Sequence, residues 1–214
     1  MYRSIFFALA LPLLCGPSPL SAQQPLRPPQ IAPFGDSEWW VLTASIPNRI
    51  GRSTEIITVP RGFVTDLASI PRFFWSAFPK TGPYMSAAIL HDYLYWDQRC
   101  TRTQADEIFE IEMKSFGVAS TSRAMIFAAV SELGGSSWDA NAAAKSQGTL
   151  RYMPEVRLAR FLSEPLDSAQ SWPSLQAELA RLALVSPPDT LERADENRQL
   201  SEVCARAIQA NKEP

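Results

Sequence analysis

The sequence predicts an α+β domain: a small antiparallel β-sheet, then a helical hairpin core, then a helical C-terminal extension. Two observations carry this. Short runs rich in β-branched and aromatic residues, separated by Pro and Gly turns, fill residues 37–65. From residue 84 onward apolar side chains instead recur at helical spacing, with cap and stop residues between the runs. The corresponding divisions are a signal peptide (1–22), a disordered lead-in (23–36), a core domain (37–140) and the helical extension (141–214).

Residues 23–33 are rich in Pro and Gln without an apolar period, which is the basis for the disordered lead-in. Residues 37–46, with Trp39, Trp40, Val41 and Ile46, read as a strand. Pro47, Asn48, Arg49, Ile50 and Gly51 read as a turn, and residues 53–59 as a second strand. Pro60, Arg61 and Gly62 lead into a short third strand at Phe63, Val64 and Thr65. Ile70 to Trp75 form an aromatic knot with one helical turn, broken by Gly82 and Pro83. Residues 84–98 read as a helix. Thr101 and Gln104 have the capping-box spacing for the next helix, which Gly117 stops. A third helix begins at Ser120 or Thr121 and is expected to end at Gly134 and Gly135. Residues 152–162, 173–184 and 192–211 carry further helical periods between Pro-containing breaks.

The N-terminus has one early charge, Arg3, then an apolar run of about ten residues and a small-residue exit at Ser21 and Ala22. These are the three parts of a secretory signal peptide, too short to span a bilayer, which needs about 20 apolar residues. Cleavage after Ala22 predicts an exported protein, periplasmic or secreted, with no later transmembrane segment. The 20 basic and 22 acidic residues form no basic stripe, which argues against a nucleic-acid partner. Beyond the signal only Cys100 and Cys204 remain. In an oxidising compartment they are expected to pair; the alternative is two buried thiols. With one histidine and two cysteines a zinc site of the usual kind is excluded, so a metal here would be oxygen-bound.

Chemistry concentrates around that one histidine. On a helix His91 and Tyr95 share a face, and Asp92 is rotated by about 100° to the flank. On the following helix Asp106, Phe109 and Met113 share the apolar stripe, while Glu107, Glu110 and Lys114 lie on the wetter side, with Glu110 and Lys114 spaced as an i,i+4 pair. A carboxylate on a buried stripe is costly unless satisfied. Packed antiparallel, the two helices would bring Asp106 to one nitrogen of His91, fixing the tautomer and leaving the other nitrogen as a base. Asp92 would hold a hard cation with backbone carbonyls and waters, completing a set of groups suited to activating water. The plainer alternative is a buried His91–Asp106 pair of structural value and a surface charge at Asp92.

The pattern His91-Asp92-x-x-Tyr95, then Ala105-Asp106-x-x-Phe109 with Met113, resembles the active-site helices of small phospholipases A2. That resemblance implies His91 as general base, Asp92 as calcium ligand, Tyr95 and Asp106 as supports of the imidazole, and a phospholipid-like ester as substrate. A longer stretch looks like family 1353 of the domains of unknown function. It comprises Val59 to Arg72, His91-Asp92-Tyr93-Leu94-Tyr95, Ala105-Asp106 and Gly134-Gly135-Ser136-Ser137-Trp138. It implies that Asp66, Ser69 and Arg72 share the site of His91. Asp66 would be a second cation ligand, and Arg72 would hold an anionic substrate group. Local roles are the alternatives: Asp66 in a turn, Ser69 starting a helical turn, Arg72 paired with a surface acid. The expectation is an exported hydrolase acting on a lipid or other small-molecule ester through a His91–Asp106 dyad, or through Ser69 as nucleophile in a triad. The alternative is a non-enzymatic binding or assembly module, with Phe73, Phe74, Trp75, Tyr93 and Trp96 forming a contact surface.

Overall fold

Ten consecutive residues, Ala87 to Trp96, are buried in one helix, and the rest of the chain is arranged to cover them. A helix apolar on one side alone would leave half of these in water; one buried all round must be central. The computed structural model describes residues 28–36, 38–67, 84–164, 170–181 and 192–212. The signal segment, the first part of the lead-in, the aromatic knot, Ser69 and Arg72 lie outside these residues.

The strands are β1 (Ile31–Pro33), β2 (Trp40–Leu42), β3 (Ile46–Arg49), β4 (Ile56–Val59) and β5 (Val64–Thr65). They form two antiparallel sheets rather than one: β1-β2-β5, and the ribbon β3-β4. The helices follow as α1 (Met85–Asp97), α2 (Arg102–Ser115), α3 (Ser120–Ser146), α4 (Glu155–Ser163), α5 (Trp172–Arg181) and α6 (Glu192–Lys212). The α+β class is as the sequence predicts. No described helix is long and apolar enough to cross a membrane.

Several local expectations are corrected. Ile31–Pro33, within the stretch read as disordered, pairs with Leu42, Val41 and Trp40 as β1. Pro47, Asn48 and Arg49 are not a turn but the body of β3, opposite Thr58, Ile57 and Ile56. A two-stranded ribbon has an open edge on each strand, where proline's missing N–H costs no ladder bond. Asn48 is buried there because its amide donates to the Ile46 and Ile57 carbonyls at 3.0 and 3.2 Å. The capping box of α2 is formed as predicted: Gln104 N–H donates to Thr101 Oγ1 at 3.2 Å, and Thr101 N–H to Gln104 Oε1 at 2.9 Å. Helix α3 does not stop at Gly134 and Gly135 but runs on to Ser146, so the boundary expected at residue 140 falls inside a helix. Glu110 and Lys114 form no ion pair among the described residues; Glu107 instead meets Lys212 of α6 at 3.3 Å.

Among the described residues three clusters make the core. Leu42, Ile57, Val59 and Phe63 pack with Leu90, Leu94 and Ile108 and with Ala207 and Ile208 of α6. Phe34, Val41 and Val64 pack with Leu158, Trp172, Leu175 and Leu179. Ala87, Phe109, Met113, Ile126 and Val130 join α1, α2 and α3. The C-terminal helices therefore complete the core of the sheets and of the α1–α2 hairpin. Cys100 and Cys204 are bonded, tying α6 to the α1–α2 loop across 104 residues. Chain entropy alone assigns a loop of that length about 4–5 kcal/mol of stabilisation.

Glu112 is a buried carboxylate that sequence spacing did not single out. It accepts the Gly51 N–H at 2.9 Å, and burial pushes its carboxyl up to about 7. The folded protein therefore binds a proton that the unfolded chain gives up near 4.5. Stability should fall as pH rises from about 4.5 to about 7 and level off above that. Glu112→Gln keeps an acceptor for Gly51 and removes the charge. We expect it to stabilise the protein by roughly 1–3 kcal/mol at pH 8, with little effect at pH 4.5, in urea unfolding at the two pH values. Equal effects at both would show that the carboxyl is not held protonated.

Candidate functional site: a histidine held by a buried carboxylate

Helix α1 presents His91 on the side that meets α2 and α3. The ring is 2% exposed and lies between two aromatic neighbours, stacked on Phe109 at 4.6 Å and tilted against Tyr95 at 4.2 Å. His91 Nε2 is 2.9 Å from Asp106 Oδ1. A carboxylate opposite this nitrogen favours the tautomer that carries its proton on Nε2, which leaves Nδ1 with a lone pair. No hydrogen bond to Nδ1 is present among the described residues, and His91 lines an open cleft of about 370 Å³.

Asp106 sits on the apolar stripe of α2, as its spacing from Phe109 and Met113 requires, and is 3% exposed. Three donors satisfy it. Besides His91, the Tyr95 hydroxyl donates to Oδ1 at 2.7 Å and Arg102 Nη1 to Oδ2 at 3.3 Å. The same Arg102 nitrogen donates to the Ser131 carbonyl at 2.9 Å, which joins α3 to the network. Burial raises the Tyr95 phenol well above its ordinary range, and the Asp106 hydrogen bond and charge add to this. Tyr95 is thus a donor to Asp106 at any working pH.

Gly134 explains why α3 passes through a glycine pair. A Cβ there would fall on the Tyr95 hydroxyl, whereas one at Gly135 would meet nothing within 4 Å. Gly134 is thus not a stop signal but the place where α3 makes room for the phenol. Tyr95 completes its surroundings with an edge contact to Trp138 at 5.2 Å.

Opposite this network the cleft carries charge. Asp66 and Asp92 both line it, with Ser137 and Asn141 of α3 and Arg151 beyond α3. Asp92 is 8% exposed rather than a free surface charge, and Thr65 Oγ1 donates to its Oδ2 at 2.5 Å. The Leu67 N–H in turn donates to Thr65 Oγ1 at 3.0 Å, with Leu67 at φ 53 in the left-handed region. The structure thus brings His91, Asp92, Tyr95 and Asp66 to one cleft, with Asp106 directly behind the imidazole. Among the described residues no group of three or more His, Cys, Asp or Glu side chains is placed to hold a metal ion. Arg151 and Asn141 are cleft residues that no sequence spacing pointed to, and Ser137 stood out in the sequence only as part of the Gly134–Trp138 stretch.

The model of a family described as a protein of unknown function, DUF1353, matches residues 40–130. That span covers β2 to the middle of α3 and includes Asp66, His91, Asp92, Tyr95 and Asp106. Neither curated proteins nor solved structures give a match.

The two glycines of α3 allow a contrasting test. Gly134→Ala should displace Tyr95 and destabilise by about 1–3 kcal/mol through overpacking. Gly135→Ala should be neutral or stabilise by up to about 1 kcal/mol through helix propensity. Paired denaturant titrations decide it, and a Gly134→Ala protein as stable as wild type would sink the close-approach argument.

Proposed function

We propose that this chain is an exported hydrolase in which His91 activates a water molecule to cleave an ester, a phospholipid-like one being the best fit. The observation that carries the reading is the His91–Asp106 contact through Nε2, made by a histidine that also lines an open cleft. Water at Nδ1 gives its proton to the imidazole as its oxygen attacks the ester carbonyl. Asp106 stabilises the imidazolium that forms, and the proton then passes to the departing alkoxide. Tyr95 and Arg102 are positioning residues that hold Asp106 in place. Ala129, Val130, Leu133 and Ala140 of α3 give the cleft an apolar wall suited to an acyl chain.

Calcium assistance is a separate part of the proposal. Asp66 and Asp92 are the carboxylates that would face the ion, and a hard cation there would polarise the ester carbonyl. Export rests on the signal-like N-terminus and is supported by the Cys100–Cys204 bond, which suits an oxidising compartment.

His91→Gln, which keeps a donor for Asp106, should lower kcat/KM on phosphatidylglycerol micelles by about 10²–10⁴ while the protein still folds, as circular dichroism would check. Asp106→Asn should also lose at least about 10³, because an uncharged amide no longer stabilises the imidazolium that forms. A His91→Gln protein that hydrolyses the lipid like wild type ends the proposal, and so does a wild-type protein that turns over no ester. Reaction of wild type with a serine-directed fluorophosphonate would transfer the nucleophile to a serine such as Ser69.

For calcium, the expected result is that the ion raises the melting temperature of wild type and not of Asp92→Asn. A ligand at a hundred times its Kd adds about 2.7 kcal/mol to the folded state. No shift in wild type would remove the ion while leaving the metal-free dyad.

A further inference from the structure

Arg151 lies in the same cleft as His91, and its surroundings are unusual for a cation. Its backbone is fixed to the first sheet: Val64 N–H donates to the Arg151 carbonyl at 2.8 Å, and two residues on Met153 N–H donates to the Gly62 carbonyl at 2.8 Å. The side chain is fixed as well. The guanidinium carbon lies 4.8 Å from the centre of the Trp39 ring and 5.8 Å from that of Trp96. Nη1 is buried without a hydrogen-bond partner. Asp66 and Asp92 share the cleft, yet no ion pair joins either to Arg151.

A guanidinium stacked on indole rings is weakly hydrated and held in one orientation, so little freedom is lost when it binds. A buried donor without an acceptor is costly, and an oxyanion supplies what it lacks. We propose that Arg151 is the anion anchor of the cleft, holding a phosphate or carboxylate group of the substrate while the scissile ester faces His91. The substrate class is then an ester with one oxyanion beside an uncharged reacting end. This rests on the reading of the cleft as a hydrolytic site, but the anchor can be tested without turnover.

The test follows the melting temperatures of wild type, Arg151→Gln, Arg151→Lys and His91→Gln in inorganic phosphate, in acetate and in chloride at matched ionic strength. Phosphate or acetate should stabilise wild type beyond chloride, and whichever acts more strongly identifies the group held. Arg151→Gln should weaken that response roughly tenfold or more in midpoint concentration. Arg151→Lys, which keeps the charge and loses the planar fork, should fall between; it carries the test if the glutamine variant fails to fold. His91→Gln should respond like wild type. Equal responses in wild type and both Arg151 variants would overturn the proposal, as would a wild type indifferent to both oxyanions. An anion response that depends on Arg151, with no ester turnover by wild type, would overturn the hydrolase reading and leave the anchor standing.

Discussion

Asp106 is taken out of water by the packing of α2 against α1 and α3, and a carboxylate in that position needs donors from the protein. It receives them from α1 and from its own helix. His91 and Tyr95 come from successive turns of α1, and Arg102 lies one turn earlier on α2 and reaches on to Ser131 of α3. The register of the three helices is therefore set by one polar cluster. Gly134 follows from it, because the phenol that reaches Asp106 occupies the space of a side chain on α3. Removing Asp106 would leave two buried donors, His91 and Tyr95, facing a void, whereas the apolar contacts around it tolerate substitution more readily.

The sequence carried much of this because the relevant spacings are local. Four residues from His91 to Tyr95, and three and seven from Asp106 to Phe109 and Met113, fix shared faces on single helices. A capping box at Thr101 sets where the second helix starts. What escaped is what depends on distant chain. Pro47 reads as a turn residue until the open edge of a two-stranded ribbon is known to be available. Gly134 reads as a stop until Tyr95 is found against it. Ile31–Pro33 has too little apolar pattern to announce a strand, and becomes one only because β2 offers a free edge.

The site shows the same division. His91, Asp106 and Tyr95 come together as their helical spacing requires, and Asp66 and Asp92 reach the same cleft from the end of β5 and the flank of α1. Ser69 and Arg72 fall outside the described residues. Arg151 had no local signal, since an arginine in a polar stretch reads as solvated surface. Its character comes from Trp39, more than a hundred residues earlier, from Trp96 on the central helix, and from the backbone bonds that hold residues 151–153 against the sheet.

Helix α2 also shows why burial of a charge is not by itself a sign of chemistry. Asp106 and Glu112 are each 3% exposed and lie on the same helix. Asp106 has three side-chain donors, one of them a histidine that lines a cleft. Glu112 has the Gly51 N–H as its donor, beside the contact with α6, and burial pushes its carboxyl upward. One carboxylate gathers a histidine that lines a cleft, and the other fastens the β3–β4 turn to the helix. Asn211 of α6 supports the same fastening: its side-chain oxygen accepts the Arg52 N–H at 2.9 Å, and its amide donates to the Ile50 carbonyl at 3.1 Å. Two buried acids of equal exposure thus divide by their donors, and the number and type of those donors, more than depth, separates the candidate site from the structural contact.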